Sequence, residues 1–154
     1  MKTIVLDAIE ERVRGFSHLF KITFADLSGT AATTKTQGLV TLPVGSLVRN
    51  AAFFLKSGFV GASVTNLTLE VGWNGASVDD PNGLIEAAEL ATAGTEILAG
   101  DATGVAFATK RTGFAPQESS AIEALFTATG ANLTALTAGE VWVALDVVDL
   151  SKLG

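Results

Sequence analysis

The stretch Glu140-Val141-Trp142-Val143-Ala144-Leu145-Asp146-Val147-Val148-Asp149-Leu150 decides the fold class of this chain. Successive side chains of an extended strand point to opposite faces. Val141, Val143, Leu145 and Val147 therefore share one face, and Trp142, Ala144, Asp146 and Val148 the other. Both faces are largely apolar, which predicts a central strand covered on two sides. Gly139, just before it, reads as a turn residue.

Working outward, the same period of two recurs. Phe20, Ile22 and Phe24 alternate with polar residues, as do Leu67, Leu69 and Val71, the pattern of a half-buried antiparallel strand. Further strands are predicted at Leu39–Leu42, Leu47–Leu55, Val105–Lys110 and Ile122–Thr129. Pro43-Val44-Gly45 separates two of them, and Thr129-Gly130-Ala131-Asn132 makes a turn before Leu133. Leu84–Leu90 is the one internal helix candidate, preceded by possible caps in Asp79-Asp80-Pro81-Asn82-Gly83 but barely two turns long. Ile4–Arg14 is ambiguous, β-like at first and helix-compatible over Ala8–Val13. Short strands punctuated by Gly and Thr predict an all-β fold: a single antiparallel β-sandwich over residues 20–154, with an N-terminal arm over 1–19 and at most one short helix.

Composition narrows the function. The chain has 154 residues, 48% of them hydrophobic and 17% charged, against about 25% charged in an average soluble domain. Its mean hydropathy is +0.43. No apolar run approaches the roughly 20 residues a spanning helix needs, and the start Met1-Lys2-Thr3-Ile4-Val5-Leu6-Asp7 turns acidic too soon for a secretion signal. The excess apolar surface is thus assigned to protein–protein contact, not to a membrane. A net charge of −6 argues against nucleic acid, which selects a basic footprint. The absence of cysteine removes disulfides and thiolate chemistry. Asn66-Leu67-Thr68 and Asn132-Leu133-Thr134 read as turn and strand chemistry, not glycosylation sites.

No set of residues makes a convincing reactive centre. His18 is the sole histidine, with no cysteine or second histidine to share a zinc ion; it reads as an ordinary strand or loop residue. Gly94–Asp101 has the glycine spacing of a phosphate loop but lacks the lysine. Glu86 with Glu89, and Asp79 with Asp80, are carboxylate pairs. A glycosidase, however, also needs aromatic platforms, and the chain has no tyrosine and two tryptophans. Asn74, Asp79, Asp80 and Asn82 offer oxygens to a cation, yet they are equally the favoured turn residues. Phe53 and Phe54, adjacent on a strand, should point to opposite faces. Trp73 is the candidate platform for a glycan. No catalytic, cofactor-binding or metal-binding residue is assigned.

Four segments together resemble small β-sandwich, jelly-roll-like virion proteins of tailed phages: Phe24-Ala25-Asp26-Leu27, read as a strand, Thr41–Val48, Leu67–Gly72 and Phe126–Val141. The resemblance runs from about Phe20 to Leu150 and involves turns and strands, not chemistry. It implies a non-enzymatic capsid decoration or cement protein on the capsid exterior. Its implied partners are the major capsid protein and its own copies, as a homotrimer or homodimer, with no cofactor. A head-fibre or tail component carrying a receptor- or glycan-binding sandwich is the alternative. The segment ahead of the sandwich is expected to reach a neighbouring subunit through Ile4, Leu6, Ile9, Phe16 and Leu19.

Overall fold

The computed structural model describes residues 1–4, 15–77, 79–90 and 119–152. Its strands are β1 (Lys2–Ile4), β2 (His18–Thr23), β3 (Thr34–Leu42), β4 (Ser46–Gly61), β5 (Asn66–Asn74), β6 (Asp79–Glu89), β7 (Ser120–Thr129) and β8 (Leu136–Asp149). They form two four-stranded antiparallel sheets, in the orders β1-β2-β8-β4 and β3-β7-β5-β6. We call these sheet A and sheet B.

The chain changes sheet at each of the steps β2–β3, β3–β4 and β4–β5, and again between β7 and β8. As a result β8 inserts between β2 and β4, and β7 between β3 and β5. This interleaving is the Greek-key arrangement of a jelly-roll-like sandwich; the alternation in the sequence predicts the sandwich, and the resemblance implied its jelly-roll form. The core lies between the sheets. Phe20, Ile22, Phe53, Leu55, Val141, Val143 and Leu145 enter from sheet A, and Leu67, Leu69, Val71, Trp73, Ile122, Ala124 and Phe126 from sheet B.

β8 is central in its sheet, flanked by β2 and β4, which satisfies its backbone on both edges. Gly139 is not a turn residue: it lies inside β8 at φ 134°, and a Cβ there would collide with the Phe59 ring and backbone. Only glycine combines that dihedral with that approach. The register between β4 and β8 shifts at this point, with Ser57 opposite Glu140 and Val60 opposite Ala138.

Two further expectations are corrected. Leu84–Leu90 is not a helix; most of it belongs to β6. Val71 pairs with Ile85 and Leu69 with Ala88, so one extra residue bulges out and Glu86 and Ala87 are both exposed. The bulge spaces Leu84, Ile85 and Ala88 as a helix would. Gly83 also has a specific reason, because a Cβ there would enter the Trp73 ring. The short helix lies elsewhere, as α1 (Phe24–Ser28), where the resemblance implied a strand. The Thr23 backbone N–H and hydroxyl both donate to Asp26 Oδ2, each at 2.8 Å, so the carboxylate three residues on holds the residue that starts the helix. The predicted strand at Val105–Lys110 and the helix-compatible Ala8–Val13 lie outside the described residues.

Candidate interaction surface

Sheet A has an outer face unlike that of an ordinary solvated sheet. Leu19, Ala144 and Ala52 stand side by side across β2, β8 and β4, and Lys21, Trp142 and Phe54 form the adjoining row. Leu19 and Ala144 form a small cluster separate from the main core, with Ile4, Phe16 and Trp142 packed against them. Three of the five residues expected to bind partners, Ile4, Phe16 and Leu19, are thus brought together by the fold. Leu6 and Ile9 lie outside the described residues. The expected arm is held on its own sandwich at both of its described stretches: β1 pairs with β2, and the Ser17 N–H donates to the Leu145 carbonyl at 3.0 Å.

Two ion pairs neutralise most of the charge on this face. Lys21 Nζ lies 2.7 Å from Glu140 Oε2, and the Trp142 indole N–H donates to Glu140 Oε1 at 2.6 Å. Burial pushes the Glu140 carboxyl up, but the bonds from Lys21 and Trp142 and the charges of Lys21 and Lys56 outweigh it. It titrates below the ordinary glutamate range. The Arg49 guanidinium engages both oxygens of Asp146, Nε to Oδ2 at 2.8 Å and Nη2 to Oδ1 at 3.0 Å, the two-pronged geometry that fixes an arginine. The Lys56 ammonium stands 6.0 Å from the centroid of the Phe54 ring, a distance at which the ring face attracts it.

The remaining candidates fall into structural roles. His18 stacks on Phe20 with ring centroids 6.2 Å apart, and its Nδ1 lies 2.8 Å from Ser17 Oγ. That hydroxyl accepts the Val147 N–H at 2.8 Å, so Ser17 and His18 stitch β2 to β8. Phe53 faces the core and Phe54 the outer side, as their adjacency requires. Trp73 is 2% exposed and offers no platform to a glycan. Asp79 and Asp80 lie at the start of β6, opposite Asn74 and Trp73, while the Asn82 amide faces Glu70 Oε1 at 3.4 Å. Among the described residues no three His, Cys, Asp or Glu side chains are grouped to hold a metal. Gly94–Asp101 lies outside them.

The sequence reading missed Phe54 and Trp142 as a pair. The alternation of β8 puts Trp142 on the second face, but only the pairing of β4 with β8 brings Phe54 beside it.

No protein-family model matches this sequence, and no curated protein matches it. Among solved structures it is similar to a chain from the acid-stable capsid of Helicobacter pylori bacteriophage KHP30. The two are 14% identical, with a TM-score of 0.38, over 84% of this chain and 97% of that one. A likeness this slight carries no weight for function.

Proposed function

We propose that this chain is a non-enzymatic structural protein of a tailed-phage virion, which decorates the capsid exterior and stabilises it by binding across major capsid protein subunits. The observation that carries the reading is the outer face of sheet A. Ile4, Phe16, Phe54 and Trp142, half-buried, give it apolar area over a buried Leu19, and Lys21, Glu140, Arg49 and Asp146 are already paired within it. Four of its charged groups already satisfy one another, which lowers the cost of covering it with another protein; Lys56, over the Phe54 ring, is left to meet a partner's acceptor. The resemblance in turns and strands to tailed-phage sandwich proteins points the same way.

The physical logic is multiplication of weak contacts. A cement protein performs no chemistry; many copies on one shell sum modest contacts into a large stabilisation. Leu6 and Ile9 are assigned to the same contact as Ile4, Phe16 and Leu19, and the protein is expected to associate with itself as a dimer or trimer. The test is co-sedimentation with expanded shells of the encoding phage's major capsid protein, followed by the melting temperature of the shells. Saturable binding that raises the shell melting temperature is expected. Protein that stays in the supernatant at every concentration refutes the reading.

A further inference from the structure

Two Asn-Gly pairs stand in this chain, Asn74-Gly75 and Asn82-Gly83, and the fold gives them opposite surroundings. An asparagine before glycine is chemically exposed, because the glycine nitrogen has no neighbouring Cβ to keep it from the asparagine side-chain carbon. Asn74 ends β5 and is exposed; Gly75 has left the strand, and Ala76 and Ser77 beyond it are exposed. Asn82 and Gly83 lie inside β6, among the residues that bulge between the pairs Val71–Ile85 and Trp73–Asp80. Gly83 is buried, with the Trp73 ring packed where its Cβ would stand. The Asn82 amide faces Glu70 Oε1 at 3.4 Å.

We propose that Asn74 is a modification site, where the chain converts its own asparagine to aspartate or isoaspartate while Asn82 keeps its amide. The Gly75 backbone nitrogen, its proton lost to solvent base, attacks Asn74 Cγ. The N–Cγ bond forms, the Cγ–Nδ2 bond breaks, and the amide nitrogen leaves as ammonia, closing a cyclic imide. Water then opens the imide at either carbonyl. The sum consumes one water and releases one ammonia, with no oxidation and no reactant beyond solvent. Ring closure turns the peptide plane that follows the asparagine. After Asn74 that plane leads out of the ladder, whereas after Asn82 it turns only if Gly83 lifts away from Trp73. The product alters the end of the β5–β6 hairpin. Position 74 stands opposite Asp79 on β6 and Ala121 on β7. A new carboxylate there meets Asp79 directly across the ladder, where like charges oppose pairing, and an isoaspartate also lengthens the main chain by a methylene.

The inference is independent of capsid binding. It is tested by incubating the whole chain in warm, mildly alkaline buffer, both folded and in guanidinium chloride. Peptide mapping by mass spectrometry and labelling with isoaspartyl methyltransferase follow the two sites. In the folded protein Asn74 should be lost at least roughly tenfold faster than Asn82, which reacts only after local opening. In guanidinium chloride the two rates should converge. Gly75→Ala should slow loss at position 74 by roughly tenfold, since its Cβ hinders the attacking nitrogen, and an unchanged melting temperature verifies its fold. Four outcomes overturn the proposal: equal rates in the folded protein, faster loss at Asn82, a difference that persists in guanidinium chloride, or a Gly75→Ala protein that reacts as wild type does.

Discussion

The two outer faces of this sandwich are built from the same backbone pattern and carry opposite chemistry. Across sheet B the outward row Thr34, Thr127, Thr68 and Glu89 crosses all four strands, with Glu70 and Glu123 on the same side. Its strands hold one basic residue, Lys35, whose ammonium donates to the Asp26 carbonyl, against six acidic ones. Sheet A has four basic residues and three acidic ones, and an apolar strip between them. Threonine and an excess of carboxylates over basic groups keep a face wet and repel neighbours of like charge. Apolar rings flanked by closed ion pairs can be covered at less cost than a face of net charge. The proposed function places contact on sheet A and leaves sheet B to solvent.

The largest test of this contrast is Leu19→Ala against Leu125→Ala. Leu19 is 8% exposed beneath Ile4, Phe16 and Trp142, and its truncation should cost about 2–3 kcal/mol. Leu125, half-buried on the wet face, should lose less than about 1 kcal/mol in the same urea titration. Equal losses would mean that the sheet A strip is no more packed than the opposite face.

Acid titration is the next test. The folded pKa values of Glu140 and Asp26 lie below their ordinary ones. At Asp26, burial raises the value, but the amino-terminal ammonium and the Thr23 N–H and hydroxyl lower it by more. Each group therefore contributes stability that is complete above its unfolded pKa, near 4, and lost as pH falls through the folded one. Glu140→Gln should flatten the acid limb of the stability curve below about pH 5. An unchanged limb would show that the Lys21–Glu140–Trp142 arrangement does not hold in solution. The smallest effect is at Arg49, 58% exposed on its side-chain surface. Arg49→Ala should cost about 0.5 kcal/mol, less at high salt, as measured by denaturant midpoints in low and high sodium chloride.

Where strands keep a strict period of two, the sequence sufficed. β5, β7 and β8 from Glu140 onward keep the period, and their core sides follow by counting. β6 did not yield because its bulges change parity twice, so that Leu84, Ile85 and Ala88 imitate a helix. α1 had a signal in Thr23-x-x-Asp26, the spacing of a cap, hidden within what read as one more strand. Trp73 was legible too: it shares parity with Leu67, Leu69 and Val71, which places it in the core despite the acidic residues that follow. The surface was the least legible, since Phe54 and Trp142 lie far apart in sequence and meet only through strand pairing.

The most direct measurement compares binding to capsid shells of two folded single variants, Phe54→Ser on sheet A and Leu125→Ser on sheet B, by co-sedimentation across a concentration series. The account predicts that Phe54→Ser weakens binding at least about tenfold, as loss of a buried aromatic contact at an interface should, while Leu125→Ser binds as wild type does. Binding lost in Leu125→Ser and kept in Phe54→Ser would contradict it.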